Sequence, residues 1–488
     1  MELKQLLENV PFESQYVINT METDVTGLAD SSSTVKSGYV FIAIEGYNFD
    51  GHDYIDDAIN KGASAIIGEK SFPQCPVPYI KVSNSKKTLG IVSATYYQNP
   101  SHHKKVIGIT GTNGKTTTSY LLKHILEDIG YSCSLIGTIQ NIINNEKLNT
   151  NNTTPNSLQL NQLLSQSNDE IIIMEASSQG LAEYRLEGIE FDLCLFTNLS
   201  HEHLNYHGTI ENYFEAKKEL FYKLKHNGTA IINVDDYYGE KLAEELHHTG
   251  ANIYTFGESK NADLQLHELN LTYPHTVNLK ENQQTFSVPS PIPGYHNLYN
   301  TAIAYAAARI FDGARDDIIH SIQSFSGVEG RFNIYNLSNG AKVVIDHAHT
   351  ADAIINCLQT VKDFNKNQLL HVFGFKGNKD IEKRNEMVKI SAEISDHYIL
   401  TLDNLNNVPQ EEMVQSLQEL QKDYGNKKGE IIHDRTLAIE HAISLSQEGD
   451  WVVITGKGHQ EYQQTYSHPV HSDKEVVQFL QKKKLEKN

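Results

Sequence analysis

The stretch Val106 to Leu126, VIGITGTNGKTTTSYLLKHIL, constrains this chain more than any other. It opens on a β-branched run, tightens into Gly-Thr-Asn-Gly-Lys-Thr, and continues with leucines and isoleucines at helical spacing. A strand that passes through two glycines into a helix leaves backbone N–H groups and the positive end of the helix dipole pointing at one spot, where a phosphate chain fits. Gly111, Thr112, Asn113, Gly114, Lys115, Thr116 and Thr117 are therefore expected to bind a nucleotide, Lys115 at the outer phosphates and Thr116 at Mg²⁺. The match to G-x-x-x-x-G-K-[ST] is incomplete, because the first glycine would fall on Ile109. A tight glycine turn carrying a surface lysine is the plain structural alternative.

At 488 residues the chain exceeds one hydrophobic core, and three domains are expected. A hydrophobic content of 39% with 21% charged residues is that of an ordinary globular protein. The formal charge of -20 argues against a nucleic-acid partner, and the C-terminal KKKLEK reads as a solvated end. The four cysteines, Cys75, Cys133, Cys194 and Cys357, are scattered, which fits a reducing compartment rather than a disulfide framework. No run reaches the roughly 18 apolar residues of a membrane span, and MELKQLLENV lacks a leader's apolar core, so a cytoplasmic protein is expected.

Strand-like runs alternate with helical stretches through most of the chain, which predicts an α/β fold. Residues 1–100 read as a small α/β domain, closed by the polar YYQNPSHHKK. KVIGIT, EIIIMEAS, FDLCLFTNLS and GTAIINVDD predict a central, P-loop ATPase-like, mostly parallel sheet over residues 101–330. After the glycine-rich FSGVEGRFNIYNLSNG, the runs AKVVIDHA, QLLHVFG, HYILTL and DWVVITG predict a Rossmann-like α/β domain over 331–488. Its ligands are expected at the strand C-termini.

Two further segments bear on the phosphate loop. Glu175 ends the apolar run of EIIIMEASSQG, where a carboxylate is costly unless paired. It reads either as a salt-bridged strand end or as a metal ligand, and the nearby loop favours the metal. TNLSHEHLNYHG brings His201, His203 and His207 into one loop, at a spacing that is not a zinc pattern. One of them is a candidate ligand, although Mg²⁺ prefers oxygen.

Together these segments resemble the Mur ligases, most closely the MurE type. The likeness runs in order through SSSTVKSGYVFIAIEGYNFDGHDYI, ITGTNGKTTT, NTTPNSLQL, MEASSQGLAEYR, FTNLSHEHLNYHGTIENYFEAKKELF, GYHNLYNTAIA, GRF, VVIDHAHTADAI and ITGKGHQEYQ. It implies an ATP-dependent ligase that joins a free amino acid to a UDP-linked muramoyl dipeptide through an acyl phosphate, in peptidoglycan precursor synthesis. By that resemblance Ser32 contacts the uridine diphosphate, and Thr153, Thr154, Ser177 and Arg185 the muramoyl dipeptide. Lys115, Thr116, Glu175 and His203 hold ATP phosphates and Mg²⁺, while Asn297 and Asn300 meet the adenine. Arg331 reaches the phosphates, and Asp346 the ribose with His349 near it. Lys217 matches the family's carbamylated lysine, whose modification turns a cation into a metal-binding anion; from the residues alone it reads as a solvated helix lysine. Lys115, Lys217, His203 and Arg331 are thus the expected catalytic residues.

The amino-acid pocket departs from the diaminopimelate type. That type carries D-N-P-R, an arginine in GGDRDKGKRP and a glutamate in GKGHE. Here Asp403 and Asn404 remain, Leu405 and Asn406 replace Pro-Arg, Lys379 replaces the second arginine, and Gln460 follows Gly456 where the glutamate would stand. Elsewhere Gln179 stands where the family usually has His, Glu202 and Asn205 where it has Asp, and Ser33 where an arginine is common. The added amino acid is therefore expected to differ from meso-diaminopimelate, with L-lysine or an ornithine-like diamine as alternatives. An amide synthetase outside wall synthesis, and a nucleotide-binding regulator without ligase activity, stay open beside this reading. A monomer is expected.

Overall fold

Four short apolar runs near the N-terminus pair in chain order into a parallel sheet: β1 (Gly27–Ala29), β2 (Tyr39–Ile42), β3 (Ala65–Gly68) and β4 (Tyr79–Lys81). One face buries Val40, Ile42, Ile67 and Ile80 with Leu3, Leu6, Leu89 and Val92 from the helices Leu3–Leu6 and Ser85–Tyr96. The other face buries Phe41 and Ile66 with Ile55 and Ala58 of the helix Ile55–Asn60. Alternation within each strand sends successive side chains to opposite faces.

This is a computed structural model, and it describes residues 1–13, 22–72, 74–272, 274–364, 366–378 and 381–485. The chain folds as two compact units. The first comprises residues 1–111, 126–199 and 206–255, the second 112–125, 200–205 and 256–488.

Beside the N-terminal sheet, the first unit carries a larger one built from β5 (Lys105–Thr110), β6 (Cys133–Ile136), β7 (Asn141–Ile143), β8 (Glu146–Leu148), β9 (Ile171–Glu175), β10 (Phe191–Phe196) and β11 (Leu224–Asn233). Its order is β11-β10-β5-β9-β6-β7-β8. From β11 to β6 the pairs are parallel, and β5, β9 and β10 read as near-continuous apolar runs because both of their faces are covered. The hairpin β7–β8 turns at Asn144 and Asn145, both with positive φ. The Asn-Asn pair was its sequence signal.

The chain passes into the second unit within β12 (Asn252–Gly257), whose Phe256 pairs in parallel with Leu264 of β13 (Leu264–Asn270). β14 (Thr276–Glu281) and β15 (Gln284–Pro289) complete an antiparallel meander. Their alternating pattern went unread among the sequence-predicted strands. The helix Tyr295–Ile310 follows. A six-stranded sheet takes in β16 (Asn333–Asn336), β17 (Lys342–Ile345), β18 (Leu369–Phe375), β19 (His397–Leu402), β20 (Gly429–Ile431) and β21 (Trp451–Ile454) in the order β16-β17-β21-β18-β19-β20. All pairs but β16–β17 are parallel. The helices Arg435–Leu445 and Asp473–Leu485 cover one face, packing Ala438, Ile439, Val476 and Val477 on Ile345, Ile399 and Ile454. The KKKL of the C-terminal run closes the second of these helices. No described helix is long and apolar enough to cross a membrane.

Candidate active site

In the first unit β5 lies between β9 and β10, with Ile109 opposite Glu175 and Thr110 opposite Phe196, so the loops leaving these strands start side by side. Gly111, the residue after β5, has φ 145, and a side chain there would strike the Thr197 hydroxyl. Only glycine fits. The Gly111 carbonyl accepts a 2.8 Å bond from Lys217 Nζ. Lys217 is 1% exposed, and its ammonium lies 4.5 Å from the centre of the Tyr213 ring. The solvated helix lysine read from the residues alone is therefore corrected: the helix Ile210–Lys218 turns Lys217 inward along with Tyr213 and Phe214.

Glu175 is wholly buried, with its carboxylate accepting from Thr138 N at 3.1 Å and Thr138 Oγ1 at 2.8 Å. Thr138 Oγ1 also lies 3.1 Å from Thr153 Oγ1. Thr154 Oγ1 donates to the Glu175 carbonyl at 2.8 Å and sits 3.0 Å from Ser177 Oγ, which caps the short helix Ser178–Ala182. Arg185 Nη1 donates to the Thr154 carbonyl at 2.8 Å, while its Nε and Nη2 grip Glu183 at 3.0 and 2.6 Å. The structure thus brings together Thr153, Thr154, Ser177, Arg185 and Glu175. Glu183, which orients Arg185, was missed; its signal was the Glu-x-Arg spacing in LAEYR. Asn156 Nδ2 donates to Asp30 at 2.6 Å, joining this loop to the one that carries Ser32. Ser32 itself lies in a short turn, where its carbonyl accepts from Lys61.

In the second unit the phosphate loop opens the helix Lys115–Asp128, of which residues 115–125 lie here. Gly114 has φ 91, and a Cβ there would meet the Asn300 side chain. Lys115 Nζ donates to the Thr112 carbonyl at 2.9 Å. Arg331 Nη2 donates to Thr116 Oγ1 at 3.1 Å, and its Nε is buried with no hydrogen-bond partner among the described residues. An orphaned guanidinium nitrogen beside the phosphate-loop threonine has the chemistry of a group awaiting an anion. Asn300 Nδ2 donates to Asn297 Oδ1 at 2.9 Å, and Asn297 Nδ2 to the Pro293 carbonyl at 2.7 Å. Asn113 donates to Asp352 at 2.9 Å.

The loop at 200–205 meets the phosphate loop through Ser200 N, which donates to Thr112 Oγ1 at 3.0 Å. Buried Glu202 lies 3.7 Å from both His203 Nε2 and His349 Nε2. Burial pushes the Glu202 carboxyl up, but His203, His349, Lys115 and Lys383 outweigh it and hold the group below its usual range. Glu202 is the hub that the sequence reading passed over as a mere replacement. His203 has φ 56, a left-handed conformation uncommon outside glycine that marks a constrained loop. His201 is exposed, and His207 instead belongs to the first unit, 3.0 Å from Ser178 Oγ. Asp346 accepts from Phe332 N at 2.7 Å and Ala348 N at 2.6 Å, and His349 Nδ1 pairs with the His347 carbonyl at 2.9 Å.

Beyond β18, β19 and β21, at their C-termini, Asp403 and Lys457 form a buried ion pair at 2.8 Å. Lys457 Nζ also donates to Asn404 Oδ1 at 2.6 Å. Burial raises the Asp403 carboxyl, yet Lys457 and Arg435 win and lower it. Asn406 Nδ2 donates to the Gly377 carbonyl at 2.9 Å, and Gln460 Oε1 accepts from Lys376 Nζ at 2.9 Å. Gly456 has φ 107 and faces Asp403. Lys379 lies outside the described residues. Lys457 and Lys376 carry the charge of this cluster and were not singled out in sequence. The Thr116 hydroxyl and the buried Glu175 carboxylate are each a hard oxygen donor of the kind that Mg²⁺ prefers.

Comparison with known proteins adds independent findings. The chain matches the Mur ligase family catalytic domain over residues 24–97, the Mur ligase middle domain over 109–308 and the Mur ligase glutamate ligase domain over 330–458. A Clostridium tetani protein named UDP-N-acetylmuramoyl-L-alanyl-D-glutamate--2,6-diaminopimelate ligase is 36% identical, over 98% of this chain and all of its own.

The chain belongs to the Mur ligase family.

A protein of the same name from Lactiplantibacillus plantarum is 35% identical over 95% of both chains. A solved structure of a ligase so named superposes with a TM-score of 0.69 at 27% identity, covering 99% of each chain. This Mur ligase is thus an ATP-dependent ligase of the MurE type, with the three-domain α/β fold that the sequence predicted.

Proposed function

We propose that this Mur ligase joins an amino acid to the D-glutamyl side-chain carboxylate of UDP-N-acetylmuramoyl-L-alanyl-D-glutamate in the cytoplasm, as a monomer, during peptidoglycan precursor synthesis. The observation that carries the reading is Arg331, which donates to Thr116 through Nη2 and keeps a buried Nε with no partner among the described residues, beside a glycine loop that also holds Lys115. A carboxylate is a poor electrophile, so the γ-phosphoryl of ATP is first moved onto it as an acyl phosphate. The incoming amine then displaces phosphate. Lys115 and Arg331 neutralise the phosphoryl oxygens during transfer by fixed position and charge.

Gly111 to Thr117, Asn297, Asn300, Asp346 and His349 hold the nucleotide in this reading. Thr116, Glu175, His203 and a carbamylated Lys217 hold Mg²⁺, whose charge would offset that of the phosphates. Ser32, Thr153, Thr154, Ser177 and Arg185 receive the muramoyl acceptor. Asp403, Asn404, Asn406, Gly456 and Gln460, with Lys379, receive the amino acid. The division at residues 1–100, 101–330 and 331–488 is supported by the three family matches.

The relatives carry 2,6-diaminopimelate in their names. In this chain the position of the clamping arginine is Asn406, uncharged and already donating to Gly377. A distal carboxylate therefore lacks the bidentate guanidinium that would hold it. The test is competition among meso-diaminopimelate, L-lysine, L-ornithine and neutral amino acids for one muramoyl dipeptide, with products weighed by mass spectrometry. The expected kcat/KM for meso-diaminopimelate is at least about tenfold below the best amine, the scale of one lost charged hydrogen bond. A clear win for meso-diaminopimelate would overturn this specificity and leave the ligase reaction standing; no product with any amine would overturn the reaction.

A further inference from the structure

At the far end of the C-terminal sheet from the amino-acid loops, three side chains outside the ligase chemistry converge. His397 is the first residue of β19, and Glu430 lies on β20, the edge strand beside it. Glu430 stands opposite Ile399 in the parallel register, and Ile399 shares a sheet face with His397 two residues earlier. The helix Arg435–Leu445 packs on that face, with Ala438 and Ala442 in the same apolar cluster as Ile399. His441, next to Ala442, flanks the buried stripe and reaches the same spot.

His397 Nε2 is 3.2 Å from Glu430 Oε1, and His441 Nε2 is 3.2 Å from Glu430 Oε2. One ligand atom from each residue falls within 4.8 Å of the others. His397 Nε2 is buried yet aligned for no hydrogen bond among the described residues, even with the carboxylate so near. Ligand atoms around a tetrahedral Zn²⁺ are separated by about 3.3 Å, since its bonds to nitrogen and oxygen run about 2.0–2.1 Å. Both histidine–carboxylate separations match that spacing. Two imidazoles and a carboxylate suit a borderline divalent ion better than Mg²⁺, which prefers oxygen alone.

We propose that His397, Glu430 and His441 bind one divalent transition-metal ion, of which Zn²⁺ is the probe, and that the ion clips edge strand β20 to the helix Arg435–Leu445. The site is structural. β19 carries the chain about 17 Å from His397 to Leu402, so an ion here does not touch the groups at Asp403 and Asn404. Tying an edge strand to a helix also guards it against pairing with another chain.

The experiment uses the full chain, stripped with a chelator and desalted, without nucleotide. Zn²⁺ is titrated by calorimetry, Co²⁺ by its visible absorption, and the melting temperature is followed with and without Zn²⁺. The wild type is expected to take up one equivalent that His397→Ala, His441→Ala and Glu430→Gln each weaken at least about tenfold, a loss that even outer-shell partners of a metal can cause. Zn²⁺ should raise the melting temperature of the wild type and not of the variants, because binding to the folded state alone stabilises it. His441→Gln, which keeps a polar side chain of similar reach, guards against a folding defect in the alanine variant. Equal Zn²⁺ binding by wild type and all variants would overturn the proposal, as would a wild type whose melting temperature Zn²⁺ leaves unmoved.

Discussion

The phosphate loop and the cluster after β19 both gather charge at the ends of parallel strands, and they settle it in opposite ways. At the loop, Arg331 keeps a buried Nε with no partner among the described residues, so a cationic donor is left unspent. After β19, Lys457 and Asp403 cancel each other at 2.8 Å in full burial, and Arg435 is likewise spent on Asp473. The first arrangement is built to receive an anion. The second is complete in itself, and whatever amino acid enters must be read by what remains around the pair. A ligase needs this asymmetry, since nucleotide phosphates bring a charge of fixed sign whereas amino acids differ chiefly in shape and distal group.

The largest way to break the comparison is Lys115→Ala. Turnover should fall on the order of 100-fold or more, as with other removed electrostatic stabilisers, while the melting temperature stays near that of the wild type. A variant that ligates at wild-type rate would strip the loop of its assigned role. Lys217→Ala sharpens the picture in the first unit: inactive alone, it should recover partly in formate or acetate, which stand in for the carbamate. Full activity without any additive would remove the carbamate.

At the self-contained cluster the effect to read is on stability. Lys457→Met strands the buried Asp403 carboxylate, and breaking such a pair costs about 3–5 kcal/mol in denaturant unfolding. The double change Lys457→Met with Asp403→Leu should recover much of that loss. If the single variant unfolds at the wild-type midpoint, the pair does not carry the energy assigned to it.

The smallest effect is graded by pH. His371, wholly buried, is bonded through both ring nitrogens to Ser391 and Thr455, and burial, aided by Arg435, pushes it down to about 3. Its unfolded pKa is about 6.5, so between those values the unfolded chain binds the extra proton. Stability from this group is present above about pH 6.5 and is lost as pH falls toward 3. His371→Gln should flatten the decline of unfolding free energy between pH 6.5 and 5 by up to about 1.4 kcal/mol per pH unit. An unchanged slope would assign the acid sensitivity elsewhere.

Particular residues divide what could be read in advance from what could not. The strands at 105–110, 171–175 and 191–196 were legible because a buried parallel strand must be a continuous apolar run. Gly111 and Gly114 were legible because a sharp strand-to-helix turn admits little else. The meander β13–β15 had its alternation in plain view but no glycine at the β14–β15 turn; Asn282 and Gln283 take positive φ there instead. Lys217 looked like any helix lysine, since its burial depends on which face of the helix Ile210–Lys218 the sheet covers. Glu202 and Lys457 act through His349 and Asp403, partners far away in the chain, and local spacing does not encode those meetings.

What the sequence by itself determined, then, is the alternation of strands and helices, the glycine turn after β5 and the family, because each rests on residues adjacent in the chain. Only the tertiary structure decided that Arg331 retains an unsatisfied nitrogen, that Asp403 is neutralised, and that His397, Glu430 and His441 meet at one edge of a sheet. Burial and pairing belong to the folded chain: a side chain's charge is free or spent only according to what the fold sets against it.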